Sequence, residues 1–208
     1  MRPKFPILLA GLALLAATLG AAAADLPPSF RLDDRAVPRS YEAQLALDPR
    51  ESRFSGEIRI ELAFNRATPV LWLNATQLTI EAARFEQGAR SITVNVVEGG
   101  EDFVGFEAQG APFAAGPAVA TLRYRGAIDP VSPRGIFRQM DGGEPYVFSQ
   151  FEALDARRAF PCFDEPGFKT PWRLTIDAPA GLVVVSNTPE LSTAEVAGSP
   201  DGSGTRSL

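Results

Sequence analysis

Polar and charged side chains are concentrated between residues 150 and 165, where amide, carboxylate and guanidinium groups are interspersed with apolar residues. The chain contains no histidine and a single cysteine. Without histidine neither a Ser-His-Asp triad nor a Cys-His pair can form, and one cysteine cannot complete a zinc knuckle or an internal disulfide. Any chemistry that these residues perform alone therefore depends on carboxylates, hydroxyls, amides or arginine.

Gln150 and Glu152 are separated by one residue within a segment, 146–152, whose composition predicts a strand. Side chains two residues apart in a strand emerge on the same face, so the amide and the carboxylate are expected to lie beside each other, with Phe148 on that face. Together they offer acceptors to the N–H donors of an ammonium group. From the residues alone, the usual exposure of Gln and Glu favours a solvated polar pair.

The remaining charged residues of this stretch are interpreted as structural. Asp155, Arg157 and Arg158 are expected to pair with Asp164 or Glu165 and to fix the turn that presents the carboxylate at 152. An alternative is that Asp164 and Glu165 act as paired carboxylates in glycoside hydrolysis. The signal for that alternative is weak, because adjacent residues in a strand point to opposite faces.

Apolar residues alternate with polar residues along most of the chain. Ile58, Ile60, Leu62 and Phe64 are the clearest example and predict a half-buried strand. Similar runs predict strands at 41–47, 70–73, 78–85, 91–97, 119–125, 146–152, 172–178 and 182–186, separated by Gly- and Pro-containing turns. The one helical piece is expected at 154–160, capped by Asp155 and ended by Pro161. The pattern predicts an all-β fold, an antiparallel β-sandwich or barrel.

Residues 1–24 have the layout of a secretory signal peptide. Arg2 and Lys4 precede an apolar stretch, and Ala22-Ala23-Ala24 provides small residues for cleavage before Asp25. An uncleaved membrane anchor is the alternative, since the apolar stretch is long enough to span a bilayer. We therefore expect an exported protein, periplasmic or extracellular. Its net charge of −5 makes nucleic acid an unfavourable partner, because phosphates would be repelled.

The other end of the chain leads us to expect an incomplete domain over residues 25–208. Residues 198–204 are a Gly-, Ser- and Pro-containing loop of the kind that joins two strands, and only four residues follow it. A strand that begins there is expected to be cut short and to leave its partner strand with an unpaired edge. The chain is therefore interpreted as the front portion of a longer protein, with a frayed polar tail as the alternative.

Residues 145–170 read PYVFSQFEALDARRAFPCFDEPGFKT. This block closely resembles the T-Q-x-E/Q-x-x-D-A-R-R-x-F-P-C-x-D-E-P block of the aminopeptidase N family of zinc metallopeptidases. Supporting matches are LWLNA at 71–75, LTI at 78–80, YRG at 124–126, GIFR at 135–138 and VSN at 185–187. The chain departs from the family pattern where Ile136-Phe137 stand in place of Leu-Tyr, where Ser149 replaces Thr, and at Pro171.

The resemblance implies a saddle-like N-terminal β-sandwich that precedes a zinc-binding catalytic domain. The family's H-E-x-x-H and G-x-M-E-N motifs are absent from this sequence, so zinc is implied for a full-length enzyme and these 208 residues alone are expected to be inactive. By position, Gln150 and Glu152 match the residues that contact the free α-amine of a peptide substrate. The implied partners are a peptide with a free N-terminus and the missing C-terminal catalytic domain.

Other interpretations of the chain and of single residues remain beside this resemblance. A non-catalytic exported β-sandwich binding module that keeps the family scaffold is the alternative function. The triplet Asn74-Ala75-Thr76 matches an N-glycosylation acceptor, but Asn74 falls at a position that resembles the family and is expected to be structural. Cys162 is expected to be an inert buried thiol. Tyr41, Trp72 and Trp172 lie on alternating apolar faces and are expected in the core.

Overall fold

The computed structural model describes residues 25–195 and 203–207, and within these ranges nearly all regular structure is β-strand. The predicted signal peptide, residues 1–24, lies outside the described residues. Within the same ranges, no helix combines the length and the apolar character that crossing a bilayer requires. In chain order the strands are β1 (Ala36–Ala46), β2 (Arg53–Phe64), β3 (Val70–Asn74), β4 (Thr79–Gln87), β5 (Arg90–Ile92), β6 (Val94–Glu98), β7 (Phe103–Ala108), β8 (Gly116–Ala127), β9 (Gly135–Asp141), β10 (Glu144–Gln150), β11 (Trp172–Pro179), β12 (Ser192–Glu195) and β13 (Ser203–Ser207).

The main sheet contains eight strands in the order β12-β13-β11-β1-β2-β8-β4-β5. Neighbours pair antiparallel except β1 and β11, which run parallel. Strand β2 follows its sequence pattern, since Ile58 and Ile60 are fully buried while Glu57 and Glu61 face solvent. One face of the sheet is thus apolar and the other polar, as alternation with a period of two requires.

Two smaller sheets cover the apolar face of the main sheet. One has the order β3-β7-β6, and the other is the β9–β10 hairpin. Phe85 of β4 and Phe106 of β7 meet with ring centroids 5.3 Å apart, and Ile136 of β9 belongs to the same buried cluster. Side chains of all three sheets therefore share one core, and the predicted all-β, sandwich-like fold is confirmed.

The segment 182–186 does not form its predicted strand and pairs with no strand among the described residues. Val183 and Val185 are 80% and 84% exposed. Their β-branched side chains favour extended backbone, but a strand also needs a partner edge. Conversely, β7 and β9 were not predicted as strands.

Two other local expectations are wrong. The 154–160 segment contains only a short 3-10 helix, Ala156–Arg158, and Asp155 makes no side-chain capping bond to it. Trp172, expected in the core, is 44% exposed, with its ring stacked 4.1 Å from that of Tyr41. The strand expected after the 198–204 loop is present as β13, which pairs with β12 and with Thr175–Pro179 of β11.

Two buried tyrosines differ in how their hydroxyl groups are satisfied. The Tyr41 hydroxyl accepts a hydrogen bond from the backbone N–H of Phe163 at 3.0 Å, whereas the Tyr124 hydroxyl has no partner among the described residues. Burial raises the pKa of both phenols and that of the neighbouring Cys162 thiol. All three groups therefore stay protonated near neutral pH, and Cys162 is a buried free cysteine as expected.

This difference predicts opposite effects of the same chemical change. Tyr124→Phe removes a buried hydroxyl without a partner and should raise the free energy of unfolding by about 1 kcal/mol, whereas Tyr41→Phe should lower it by about 1–3 kcal/mol because the Phe163 N–H is left unpaired. Urea denaturation of the two variants measures both changes. Equal losses of stability in the two variants would show that the Tyr124 hydroxyl is satisfied.

Candidate functional site

Gln150 is the last residue of β10, and Glu152 lies in the turn that follows. Both are exposed. The backbone N–H of Glu152 donates to Oε1 of Gln150 at 3.1 Å, and the Glu152–Ala153 peptide bond is cis. The predicted strand therefore ends two residues early, and a local hydrogen bond rather than strand alternation holds the two residues together.

The Glu152 carboxylate forms no ion pair with any arginine or lysine of the described residues. It is thus an exposed negative charge that is free to take a cationic partner. The Gln150 oxygen accepts one bond from Glu152, and an amide oxygen has a second lone pair. The exposed carboxylate and the amide oxygen are both acceptors of the kind that an ammonium group bonds.

Along β10, alternation places Gln150 on the outward face of the hairpin. Tyr146 and Phe148 share that face and are 47% and 46% exposed. The Phe148 ring lies 5.8 Å from that of Phe137, its partner in β9. Val147 points the other way and packs against the core. The acceptor pair thus sits at the end of an aromatic face that consists of Phe137, Tyr146 and Phe148.

Phe151 and Asp155 anchor the turn that carries Glu152. The Phe151 ring packs edge-on against Phe160 with centroids 5.8 Å apart. The backbone N–H of Asp155 donates to the Phe151 carbonyl at 3.0 Å. Glu152 therefore projects to solvent from a turn with a buried aromatic residue on one side and a backbone bond across it.

Asp155 is itself held by two arginines. Its carboxylate, 8% exposed, accepts hydrogen bonds from Arg134 at 3.1 Å and from Arg158 at 3.0 Å. The hydrogen bond to Asp155 raises the pKa of Arg134. Arg158 also donates to Oε1 of Gln77 at 2.8 Å. The expected role of Asp155 in fixing the turn agrees with this arrangement, but its partners are Arg134 and Arg158 rather than a member of the 164–165 pair.

Gly135 allows Arg134 and Arg158 to come together. Its φ is +66°, and a Cβ at this position would lie 2.6 Å from Cβ of Arg158. A side chain there would be strained by the backbone conformation and blocked by its neighbour. Sequence reasoning missed Arg134, because nothing near residue 134 indicates that the start of β9 returns to the turn at 155.

The expected pairing of Arg157 with Asp164 is present, with Nε 2.9 Å from the carboxylate. Glu165 instead accepts a hydrogen bond from the backbone N–H of Leu32 at 3.1 Å and lies 3.9 Å from Arg31. The two adjacent carboxylates are therefore engaged by different partners. This arrangement leaves no open pair of carboxylates for glycoside hydrolysis.

Asn74 is fully buried, and its Oδ1 accepts the backbone N–H of Asp164 at 3.0 Å. Its backbone also pairs with Cys162. Thr76 donates its hydroxyl proton to Asp102 at 2.8 Å. The Asn74-Ala75-Thr76 triplet thus fastens β3 to the segment after the 3-10 helix, in agreement with its structural interpretation.

Within the described ranges, no group of three or more His, Cys, Asp or Glu side chains is placed to hold a metal ion. The sequence also has no histidine. The described residues therefore do not fit the nitrogen- and sulfur-rich donor set of a protein zinc site.

Comparison with known proteins gives a consistent result. The family model described as "Peptidase M1 N-terminal domain" matches residues 37–202. "Aminopeptidase M1-D" of Oryza sativa subsp. japonica is 37% identical over 176 residues, which cover 82% of this chain and 20% of that protein. "Aminopeptidase M1" of Arabidopsis thaliana is 31% identical over 168 residues, covering 76% and 19%. "Probable M1 family aminopeptidase 1" of Encephalitozoon cuniculi (strain GB-M1) is 30% identical over 185 residues, covering 86% and 21%. The chain thus spans about a fifth of the length of these relatives.

The Asp155 cluster predicts a stability effect at the site. Asp155→Asn removes the charge that both arginines share and should lower the free energy of unfolding by about 1–3 kcal/mol, because charge-assisted hydrogen bonds are lost from a buried position. Asp141→Asn, at the exposed tip of the hairpin, is the matched control and should leave stability within about 0.5 kcal/mol. Urea denaturation compares them, and equal midpoints would contradict a fixing role for Asp155.

Proposed function

Because the chain belongs to the M1 aminopeptidase family, whose N-terminal domain it matches, we propose that it is the substrate-anchoring part of a zinc-dependent aminopeptidase. Such an enzyme removes residues from the N-terminus of peptides. In this proposal Gln150 and Glu152 bind the free α-ammonium group of the substrate. The observation that carries it is the exposed Glu152 carboxylate, which has no ion-pair partner among the described residues and belongs to the residue whose backbone N–H donates to Oε1 of Gln150.

The chemistry of an ammonium group suits this pair. The group carries one positive charge and three N–H donors, so it can bond a carboxylate oxygen and an amide oxygen at once. A peptide with a blocked N-terminus has no charge to offer, and a desolvated carboxylate would then be left unpaired. A site of this kind rejects such a substrate by leaving its own polar group unsatisfied. The proposed selectivity is therefore for free N-termini.

Zinc and the groups that carry out hydrolysis belong, in this proposal, to polypeptide outside the described residues. The family resemblance implies the metal, and the metal would supply the activation of the attacking water. The residues described here supply binding and orientation of the substrate amine. On this basis the 208 residues by themselves should not cleave peptides.

The same proposal places the protein outside the cytoplasm. Its support is the layout of residues 1–24, with a basic start, an apolar stretch and small residues before Asp25. Periplasmic or extracellular peptides with free N-termini would then be the substrates.

The proposal predicts the kinetics of Glu152→Gln in the full-length enzyme. Loss of the charge that pairs with the substrate ammonium should cost about 2–5 kcal/mol of transition-state binding, which is on the order of 30-fold or more in kcat/KM. Steady-state assays with a free-amine peptide substrate measure the loss.

Glu144→Gln is the matched control, since Glu144 is an exposed carboxylate at the other end of β10. Its kinetics should equal those of the unaltered enzyme. An N-acetylated version of the same substrate should be a poor substrate for all three proteins. Unchanged kcat/KM in Glu152→Gln would remove Glu152 from the anchoring role.

A further inference from the structure

We propose that Gln77 is a positioning residue for the candidate site, because it sets the place of Glu152 through Arg158 and Asp155. This inference rests on the proposed function, to which it adds a residue from outside the 150–165 stretch. Gln77 lies in the connection between β3 and β4, far from Glu152 in the sequence.

The backbone of Gln77 adopts a conformation that a residue with a side chain disfavours. Its φ is +58°, and every other described residue with a positive φ is a glycine. The left-handed region brings Cβ close to the following carbonyl oxygen, so glutamine has a free-energy cost there that glycine avoids. Gln77 is exposed, so burial of its side chain does not offset this cost. The strained backbone therefore points to a role for the side chain itself.

The side chain of Gln77 orients the guanidinium group of Arg158. Oε1 of Gln77 accepts a hydrogen bond from Nη1 of Arg158 at 2.8 Å, and Nε of the same guanidinium donates to Oδ1 of Asp155 at 3.0 Å. A guanidinium group is planar and rigid, so two bonds from different nitrogens fix its orientation as well as its position. Gln77 thus holds Arg158 in the orientation in which its Nε meets the Asp155 carboxylate.

Asp155 transmits this placement to the turn that carries Glu152. The backbone N–H of Asp155 closes the turn on the Phe151 carbonyl at 3.0 Å, and Glu152 lies inside that turn. The Glu152 carboxylate forms no ion pair with the described residues, so its position follows from the backbone of the turn. A displacement of about 1 Å in a substrate-binding group can cost on the order of 100-fold in rate. Gln77 can therefore affect substrate binding without contacting the substrate.

Gln77→Asn in the full-length enzyme separates the contact of the side chain from the strain of the backbone. Asparagine suits the left-handed region better than glutamine, but its amide is one carbon–carbon bond, about 1.5 Å, nearer the backbone and so loses Arg158. The urea midpoint should therefore stay unchanged, while kcat/KM for a free-amine peptide should fall at least about fivefold. Gln77→Glu keeps the length and the acceptor oxygen, so it should retain kcat/KM within about twofold.

Gln44→Asn is the matched control. Gln44 is an exposed glutamine on the polar face of the main sheet, and its Nε2 donates to Asp177 at 2.6 Å. Its shortening should leave kcat/KM unaltered. Full kcat/KM in Gln77→Asn would overturn the positioning role. An equal loss in Gln77→Glu would overturn it as well, because the reach of the acceptor oxygen to Arg158 would then be irrelevant.

A double-mutant cycle with Glu152→Gln shows whether Gln77 acts through Glu152. In the Glu152→Gln background, Gln77→Asn should change kcat/KM by less than about twofold, because placing a carboxylate has no effect once that carboxylate is gone. An undiminished loss in that background would contradict the inference.

The two proposals fail in different ways. If Glu152→Gln alone keeps full kcat/KM, the anchoring role fails and the positioning role fails with it. If Glu152→Gln loses activity but Gln77→Asn does not, anchoring stands and only the positioning role of Gln77 fails.

Discussion

The carboxylate of Asp155 is the interaction on which the candidate site depends. It bonds both Arg134, the residue before β9, and Arg158 of the 3-10 helix. Arg158 also donates a hydrogen bond to Gln77, which follows β3. Three segments that are distant in sequence are therefore linked through Asp155 and Arg158. Because the turn from Phe151 to Asp155 is closed by a backbone hydrogen bond, the position of that charge also determines where Glu152 emerges. A buried charge with two partners is costly to disturb, so the turn has a defined place relative to the hairpin.

Sequence patterns predict those strands in which one face is buried and the other is exposed to solvent. Strand β2 is such a case, and its alternation identified both the strand and its buried side. Strand β7 escaped prediction because Phe103, Val104, Gly105 and Phe106 are all buried, so nothing alternates. Its Gly105 is also needed for packing, since a Cβ there would lie 2.6 Å from the Trp72 ring. A glycine in a run that is buried on both faces does not look like a strand in sequence.

In the candidate site, too, only some features could be predicted from the sequence. The identity of Gln150 and Glu152 could be read from their motif, but the link between them could not. The sequence suggested a strand through residue 152, whereas the strand ends at Gln150 and a side-chain to backbone bond continues the connection. The partnership of Arg134 with Asp155 was beyond prediction, because it depends on the path of β9 and on the absence of a Cβ at Gly135. Local chemistry is visible in a sequence, while the contacts that orient it come from topology.

The strength of the acceptor pair depends on what surrounds it. A carboxylate and an ammonium 4 Å apart attract each other by only about 1 kcal/mol in bulk water, but by about 4 kcal/mol at the effective dielectric constant near a protein surface. Glu152 is exposed in this chain, so by itself the pair would hold an amine weakly and with little selectivity. Exclusion of water from around the pair would lower the local dielectric constant and raise its attraction for a cation. Gln150 and Glu152 would therefore hold an amine strongly, as proposed, only where water is excluded from around them.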